Sequence, residues 1–139
     1  MIVTEDEKAV IRMTVKQEAA DQPYLGKLGV AYVIINRMKQ QNKTAFEVCW
    51  AKWQFSCWLE PLSAIARWLK NEPLSVDNEV TTAVNSVISG HESDPTRGAT
   101  HYLNAELTKQ QNGGKLPAWV EAMEYTATIG QHDFYKEKK

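Results

Sequence analysis

The segment from Leu28 to Met38 is apolar on almost every side of the helix that its spacing predicts. Ala31 and Ile35 follow Leu28 at helical intervals, while neighbouring valines and isoleucines occupy the other faces. A helix at the surface keeps one polar face, so a helix without one has to be covered by other elements. The segment therefore predicts a buried central helix, with Asn36 at its polar end, around which the rest of the chain packs.

A second predicted helix precedes this one and ends in a glutamate. Thr4 and Glu7 have the spacing of a capping box, which satisfies backbone N–H groups at a helix start. Counted from there, Ile11, Val15 and Glu18 share one face. Apolar surroundings and the negative end of the helix dipole both favour a protonated carboxyl, the form that a general acid needs. A glutamate at the edge of this face that simply reaches solvent is the alternative.

The remaining segments predict short helices, turns and a little extended structure. In chain order they begin with a turn over 22–26, a loop over 40–43, a short helix over 44–53 that opens with a second capping box at Thr44 and Glu47, a loop over 54–58 and a helix over 61–69. A helix over 77–89 follows, with Gly90 as its cap and one apolar face formed by Val80, Ala83, Val84, Val87 and Ile88. The last segments are a turn over 93–98, an extended segment over 99–104, a flexible loop over 112–114, a short helix within 116–126 and a terminal strand or extended tail over 128–135. Without repeats or linkers, the 139 residues predict one α+β domain that is mostly α-helical.

Composition excludes several classes of function. The formal net charge of −1 gives no basic surface for nucleic acid or for a membrane. No apolar run approaches the roughly 20 residues that span a bilayer. The segment Met1–Lys8 is acidic and lacks the basic start of a signal peptide, so we expect synthesis and retention in a cytoplasm. The three histidines are dispersed and no phosphate-binding loop is present, so we expect no metal and no cofactor.

The cysteines and tryptophans leave two questions open. Cys49 and Cys57 are eight residues apart, which permits a disulfide, but a reducing cytosol favours free thiols. Three of the five tryptophans, Trp50, Trp53 and Trp58, lie within nine residues. They either pack in the core or form a rim of aromatic rings that stack on sugars.

The chemistry that the residues permit is narrow. The sequence contains neither a G-x-S-x-G nucleophile motif nor an H-E-x-x-H zinc motif. What remains is acid chemistry at a carboxylate among polar and aromatic residues. This set of residues is typical of a glycosidase.

Five segments, taken in order, resemble one family over nearly the whole chain. They are Glu18–Arg37 with E-A, P-Y-x-G and V-A-Y-V-I-I-N-R, Gln54–Trp58 with Q-F-S-C-W, Gly98–Asn104 with G-A-T-H-Y-L-N, Pro117–Trp119 with P-x-W, and Thr128–Tyr135 with T-I-G-x-H-x-F-Y. The sequence resembles the SleB-type cell-wall hydrolases, the family of spore-cortex-lytic enzymes and related phage endolysins.

The resemblance implies a lysozyme-like fold of the lytic transglycosylase and goose-lysozyme kind. It also implies cleavage of the bond between N-acetylmuramic acid and N-acetylglucosamine, with Glu18 as the catalytic acid. The chain departs from the family after E-A, where Arg, Gly and Glu are common but Ala20, Asp21 and Gln22 stand here. A second family glutamate is thus replaced by an amide. The acidic start differs from the spore enzymes and suits a phage or prophage endolysin that a holin releases.

The resulting hypothesis is a lytic transglycosylase that uses one catalytic glutamate, Glu18, and whose single domain over 1–139 includes no separate wall-binding domain. The candidates for holding the sugars are Gln54, Ser56, Trp58, Tyr102, Asn104 and Trp119. A structural loop role is the alternative for Gln54 and Ser56, and core packing is the alternative for the two tryptophans. We expect a monomer that binds peptidoglycan glycan strands, without nucleic acid or membrane insertion. The rival functions are a hydrolytic muramidase and a catalytically silent wall-binding module.

Overall fold

The structure, a computed structural model, describes residues 2–51 and 78–138. Its elements in chain order are α1 Glu5–Ala19, α2 Tyr24–Gln41, α3 Ala45–Cys49, α4 Asn78–Ser89, β1 His101–Leu103, α5 Ala105–Gln111, α6 Trp119–Ala122, β2 Met123–Ile129 and β3 His132–Glu137. The predicted mostly helical α+β architecture is confirmed. The predicted loop over 54–58 and helix over 61–69 lie outside the described residues. Within the described ranges, no helix is long and apolar enough to cross a membrane.

Both predicted capping boxes are confirmed, and one of them joins two helices. The Thr4 hydroxyl accepts from the Glu7 backbone N–H at 3.1 Å, and Glu7 Oε1 accepts from the Thr4 N–H at 3.2 Å. Glu7 Oε2 also accepts from the Ala45 N–H at 2.9 Å, the first residue of α3. Because Glu7 is buried, this shared carboxylate fixes the start of α1 against the start of α3.

The central helix is longer than the apolar pattern indicates. The predicted turn over 22–26 is wrong beyond Gln22, because Pro23 is the N-cap and α2 begins at Tyr24. Proline suits a helix start, where its missing N–H would have no partner within the helix. At the other end Gln40 and Gln41 are helical, and Asn42 ends the helix with a φ of 53°.

The core lies around α2, as the apolar pattern predicts. Helices α1, α3 and α4 and strands β1 and β2 all contact it. The stripe predicted for α4 is confirmed, since Val80, Ala83, Val84 and Val87 are buried. Gly90 follows with a φ of 72°, a conformation that favours glycine at the end of a helix.

The C-terminal part is a three-stranded antiparallel sheet in the order β1-β3-β2. The predicted terminal strand is present as β3, but the prediction of one continuous segment over 128–135 is wrong, because two strands form a hairpin that turns at Gly130, whose φ is 59°. The helix predicted within 116–126 occupies only Trp119–Ala122 before the β-branched and aromatic residues of β2 begin. Helix α5 was not predicted.

Register divides the sheet residues between two faces. Tyr102 lies opposite Phe134, and His101 lies opposite Tyr135. Paired residues share a face and successive residues alternate, so Tyr102, Phe134 and His132 form the inner face and His101 and Tyr135 the outer one. The inner face packs on α2 so closely that a Cβ added at Gly29 would lie 2.9 Å from the Phe134 ring.

Candidate active site

Glu18 lies in the last turn of α1, where it meets the sheet. The side chain is half-buried beside a fully buried apolar face that includes Ile11 and Val15. The Tyr102 hydroxyl donates a hydrogen bond of 2.7 Å to Glu18 Oε1. The structure therefore brings together two of the predicted site residues, which are 84 positions apart in the sequence.

Two aromatic neighbours fix the ring of Tyr102. The His132 ring lies 4.7 Å away and the Phe134 ring 5.8 Å away, measured between ring centroids. His132 is buried, and this burial lowers its pKa, although the charges of Glu18, Asp21 and Asp133 oppose the shift. The imidazole beside the Tyr102–Glu18 pair is therefore neutral at neutral pH.

The polar end of α2 fixes the backbone that leads into β1. Buried Arg37 donates from Nε to the Thr100 carbonyl, and the Thr100 N–H donates to the Tyr135 carbonyl at 2.9 Å. Burial lowers the pKa of the Arg37 guanidinium. Asn36 Nδ2 donates to the Ala99 carbonyl at 2.9 Å. These contacts hold the residues immediately before Tyr102.

Asp94 organises the turn that precedes this backbone. Its carboxylate accepts from the Thr96 N–H at 2.8 Å, the Thr96 hydroxyl at 2.6 Å, the Gly98 N–H at 3.0 Å and Asn36 Nδ2 at 2.9 Å. Because four donors converge on the Asp94 carboxylate, the backbone between α4 and β1 is held in one conformation.

Asn104 lies at the edge of a groove of about 490 Å³. The groove is lined by Asn104, Ala105, Glu106, Leu107, Gln110, Thr128, Gly130, Gln131 and Asp133. Asn104 is also the N-cap of α5, since its Oδ1 accepts from the Leu107 N–H at 3.0 Å. The sugar-binding role of Asn104 stays a prediction, in which its amide nitrogen can donate to a sugar while its Oδ1 caps the helix.

Trp119 lies on the other face of the sheet from Tyr102. Its ring contacts those of His101 at 5.3 Å and Tyr135 at 5.5 Å. Burial, with a smaller effect from Arg37, lowers the pKa of His101 to about 4. The structure therefore does not bring Trp119 together with Glu18, and a sugar-stacking role for this ring stays a prediction.

The remaining candidates are three sugar-binding residues and the cysteines. Gln54, Ser56 and Trp58 lie outside the described residues. Cys49 is a buried free cysteine, and burial raises the pKa of its thiol to about 12, so this thiol is unreactive. Among residues 2–51 and 78–138, no group of three His, Cys, Asp or Glu side chains could hold a metal ion.

Sequence reasoning missed two residues in the surroundings of Glu18 and Tyr102. His132 belongs to one of the family motifs, but a lone histidine in a strand carries no signal of its ring partner. Gln22 stands out in the sequence only as a departure from the family, yet its buried side chain bonds to the Gly130–Gln131 turn. The Tyr102–His132 contact joins residues about 30 positions apart, and the Gln22–Gln131 contact joins residues 109 positions apart. The spacing of residues within one helix or strand cannot reveal contacts at such distances along the chain.

The Tyr102 hydroxyl is expected to orient the carboxylate of Glu18. Tyr102→Phe keeps the ring contacts but removes a hydrogen bond to a carboxylate, so we expect the rate of wall lysis to fall about tenfold. Turbidity loss of purified wall suspensions measures the rate. Tyr125→Phe, at an exposed tyrosine of β2, is the matched control and should change the rate less than about twofold. Equal rates for both variants would refute the orienting role.

Comparisons with known proteins identify the family of this chain. The family model described as Cell Wall Hydrolase matches residues 21–135. The chain therefore belongs to the cell wall hydrolase family, and it is a peptidoglycan-degrading enzyme of the SleB type. A comparison of the sequence with curated proteins gives no match.

Two solved structures share the fold. The catalytic domain of the Bacillus cereus SleB protein has a TM-score of 0.70 at 22% identity, over 97% of this chain and 93% of that one. The catalytic domain of the germination-specific lytic transglycosylase SleB from Bacillus anthracis has a TM-score of 0.70 at 25% identity, over 96% of each chain. The lysozyme-like fold implied by the sequence motifs is thereby confirmed.

Proposed function

We propose that this enzyme is a lytic transglycosylase that cleaves the bond between N-acetylmuramic acid and N-acetylglucosamine, with Glu18 as its catalytic residue. The observation that carries the proposal is the hydrogen bond of 2.7 Å between the Tyr102 hydroxyl and the half-buried carboxylate of Glu18. The matched family region begins at residue 21, so the assignment of Glu18 depends on this contact and on the E-A motif.

A single carboxylate is sufficient for the proposed reaction. Glu18 protonates the glycosidic oxygen as the bond to C1 of the muramic acid breaks. The carboxylate then takes the proton of the C6 hydroxyl, whose oxygen bonds to C1 and closes a 1,6-anhydro ring. No water is consumed, and Glu18 ends in its initial protonated state. The nucleophile belongs to the substrate, so its reaction gains from proximity.

The neighbouring carboxylates support this one-carboxylate scheme. Asp21 accepts a hydrogen bond of 3.2 Å from Gln22, and Asp133 accepts one of 2.6 Å from the Thr128 hydroxyl. Both side chains thus have partners that hold the hairpin. A hydrolytic glycosidase needs a second carboxylate at ~5–5.5 Å or ~6.5–9.5 Å from the acid to activate water or to form a covalent intermediate. The solved Bacillus anthracis relative is itself named a lytic transglycosylase.

The product distinguishes the transglycosylase from the hydrolytic muramidase. We expect a wall digest to contain 1,6-anhydro-muramic acid ends, each one water lighter than a hydrolytic end and resistant to borohydride. Mass spectrometry before and after borohydride reduction measures both properties. A parallel digest with a hydrolytic lysozyme provides the control for complete reduction. Products that are all reducible would replace the transglycosylase with a muramidase and would require a second catalytic carboxylate.

The other rival function is a silent wall-binding module, which would bind wall suspensions without clearing them.

The second part of this proposal is that the enzyme acts as an endolysin. It carries forward the expectation of a monomer that stays in the cytoplasm of the producing cell until a holin releases it to the wall. Expression in a host with and without a holin tests this role, because lysis should then require both proteins.

A further inference from the structure

Gln22 lies between the end of α1 and the β-hairpin, and its side chain is bonded at both ends. Its Oε1 accepts from the Gln131 backbone N–H at 3.0 Å, and its Nε2 donates to Gln131 Oε1 at 3.1 Å. The residue is only 6% exposed. Gly130 approaches so closely that an added Cβ would lie 2.4 Å from Gln22 Oε1. The hairpin turn therefore packs directly against the Gln22 side chain.

The contacts favour an amide at this position. Nε2 of Gln22 also donates to Asp21 Oδ1 at 3.2 Å, so one end of the side chain donates while the other accepts. A glutamate at position 22 could still accept from Gln131 but would place an oxygen against the Asp21 carboxylate. Rotation of the Gln131 amide would relieve its own contact, but the Asp21 carboxylate offers only acceptors. The Gln22 backbone is fixed as well, because Lys27 Nζ donates to its carbonyl at 2.6 Å.

The contact between Gln22 and Gln131 completes a series of contacts that begins and ends near Glu18. Gln131 precedes His132, whose ring lies 4.7 Å from that of Tyr102. The Tyr102 hydroxyl donates to Glu18, and Glu18 is four residues before Gln22 in the chain. A displacement of the hairpin turn therefore moves the His132 ring and, through Tyr102, the carboxylate.

We propose that Gln22 is a positioning residue for the reaction: its amide clamps the β2–β3 turn so that His132 and Tyr102 hold Glu18 in its productive orientation. The proposal depends on the proposed role of Glu18 as the acid. It assigns to Asp21 and Gln22 a paired function, because the aspartate is compatible with an amide at position 22 and not with a carboxylate.

A double-mutant cycle tests the clamp. Gln22→Glu is compared with the wild type, and Asp21→Asn/Gln22→Glu is compared with Asp21→Asn. With the native Asp21 we expect kcat for wall lysis to fall about tenfold or more with KM within twofold, since a small misplacement of an acid costs rate. With Asp21→Asn already in place, the new side-chain amide at position 21 can donate to the carboxylate introduced at position 22. The same substitution should then cost no more than about twofold in kcat.

The matched control is Gln17→Glu, which makes the same change at an exposed residue beside Glu18. It should leave kcat within about twofold. An equal loss in this variant would make the effect one of added charge and would overturn the clamp. So would a Gln22→Glu enzyme with the wild-type kcat, or an equal loss in both backgrounds of the cycle.

A readout without turnover separates this proposal from the proposed function. NMR peaks of the Tyr102 ring, assigned with Tyr102→Phe, should shift in Gln22→Glu and return in the double variant. If the wild type does not lyse walls, the proposed function fails while this measurement still tests the clamp. If Gln22→Glu does not fold, Gln131→Ala at an exposed residue replaces it, with an expected loss in kcat of about two- to fivefold. Unchanged Tyr102 peaks in the folded variant would overturn the clamp.

Discussion

Glu18→Gln is expected to lower the rate of wall lysis by about 10²- to 10⁴-fold, the usual contribution of a general acid. The amide has nearly the shape of the carboxyl group but cannot donate an acid proton to the glycosidic oxygen. Its Oε1 can still accept from the Tyr102 hydroxyl, so the contact between α1 and the sheet is retained. The free energy of unfolding should therefore change by no more than about 1 kcal/mol, because the hydrogen bond from Tyr102 is kept.

The measurement pairs wall turbidity with thermal unfolding. Glu5→Gln serves as the matched control, because it removes a carboxylate from an exposed position at the other end of the same helix. This control should retain lysis within about twofold. If Glu18→Gln lyses walls at the wild-type rate, the acid is a different residue. If it loses activity and also unfolds at a much lower temperature, the loss reports damage to the fold and not to the chemistry.

The helical part of the fold was predictable because its signals are local. The capping boxes at Thr4 and Thr44 each depend on a residue three positions away, and both are present in the structure. The burial of α2 was predictable because its apolar residues are too many to lie on one face of a helix. The apolar residues on one face of α4 recur within every four positions. Each of these signals lies within about one or two helical turns, which is the range over which spacing determines a face.

The sheet was less predictable because its partners are distant. Strand β2 mixes polar and apolar residues in no clean alternation, and its burial in the structure is correspondingly partial. Without the pairing of β2 with β3, the segment over 128–135 cannot be recognised as a hairpin turn with parts of both its strands. Helix α5 begins at the N-cap Asn104, a residue that we interpreted only as a sugar ligand. One side chain can carry both signals, and the sequence does not separate them.

The position of Glu18 was predictable and its surroundings were not. Glu18 is identified by a motif at the end of a helix with a buried face. Its contact with Tyr102 and the contact of Gln22 with Gln131 depend on how the sheet packs across α2. The position of the Glu18 side chain therefore also depends on the stability of the sheet, because the Tyr102 ring lies on Phe134.

Phe134→Ala is expected to have the largest effect on stability of any substitution considered for this chain. The side chain is fully buried, and its ring fills the space over Gly29, where even one added carbon would lie 2.9 Å away. Removing a buried phenylalanine ring costs about 3–5 kcal/mol through lost transfer energy and the cavity left behind. For a domain of this size that loss lowers Tm by roughly 10–20 °C.

Calorimetry or circular dichroism measures this shift in Tm, and wall lysis is then assayed well below the Tm of the variant. Lysis should also fall, because Tyr102 loses its contact with the Phe134 ring, which helps to hold it toward Glu18. Tyr125→Ala, on the paired strand but 54% exposed, is the control for loss of an aromatic ring and should cost far less stability. A Tm for Phe134→Ala within about 3 °C of the wild type would contradict the packing of the sheet on α2.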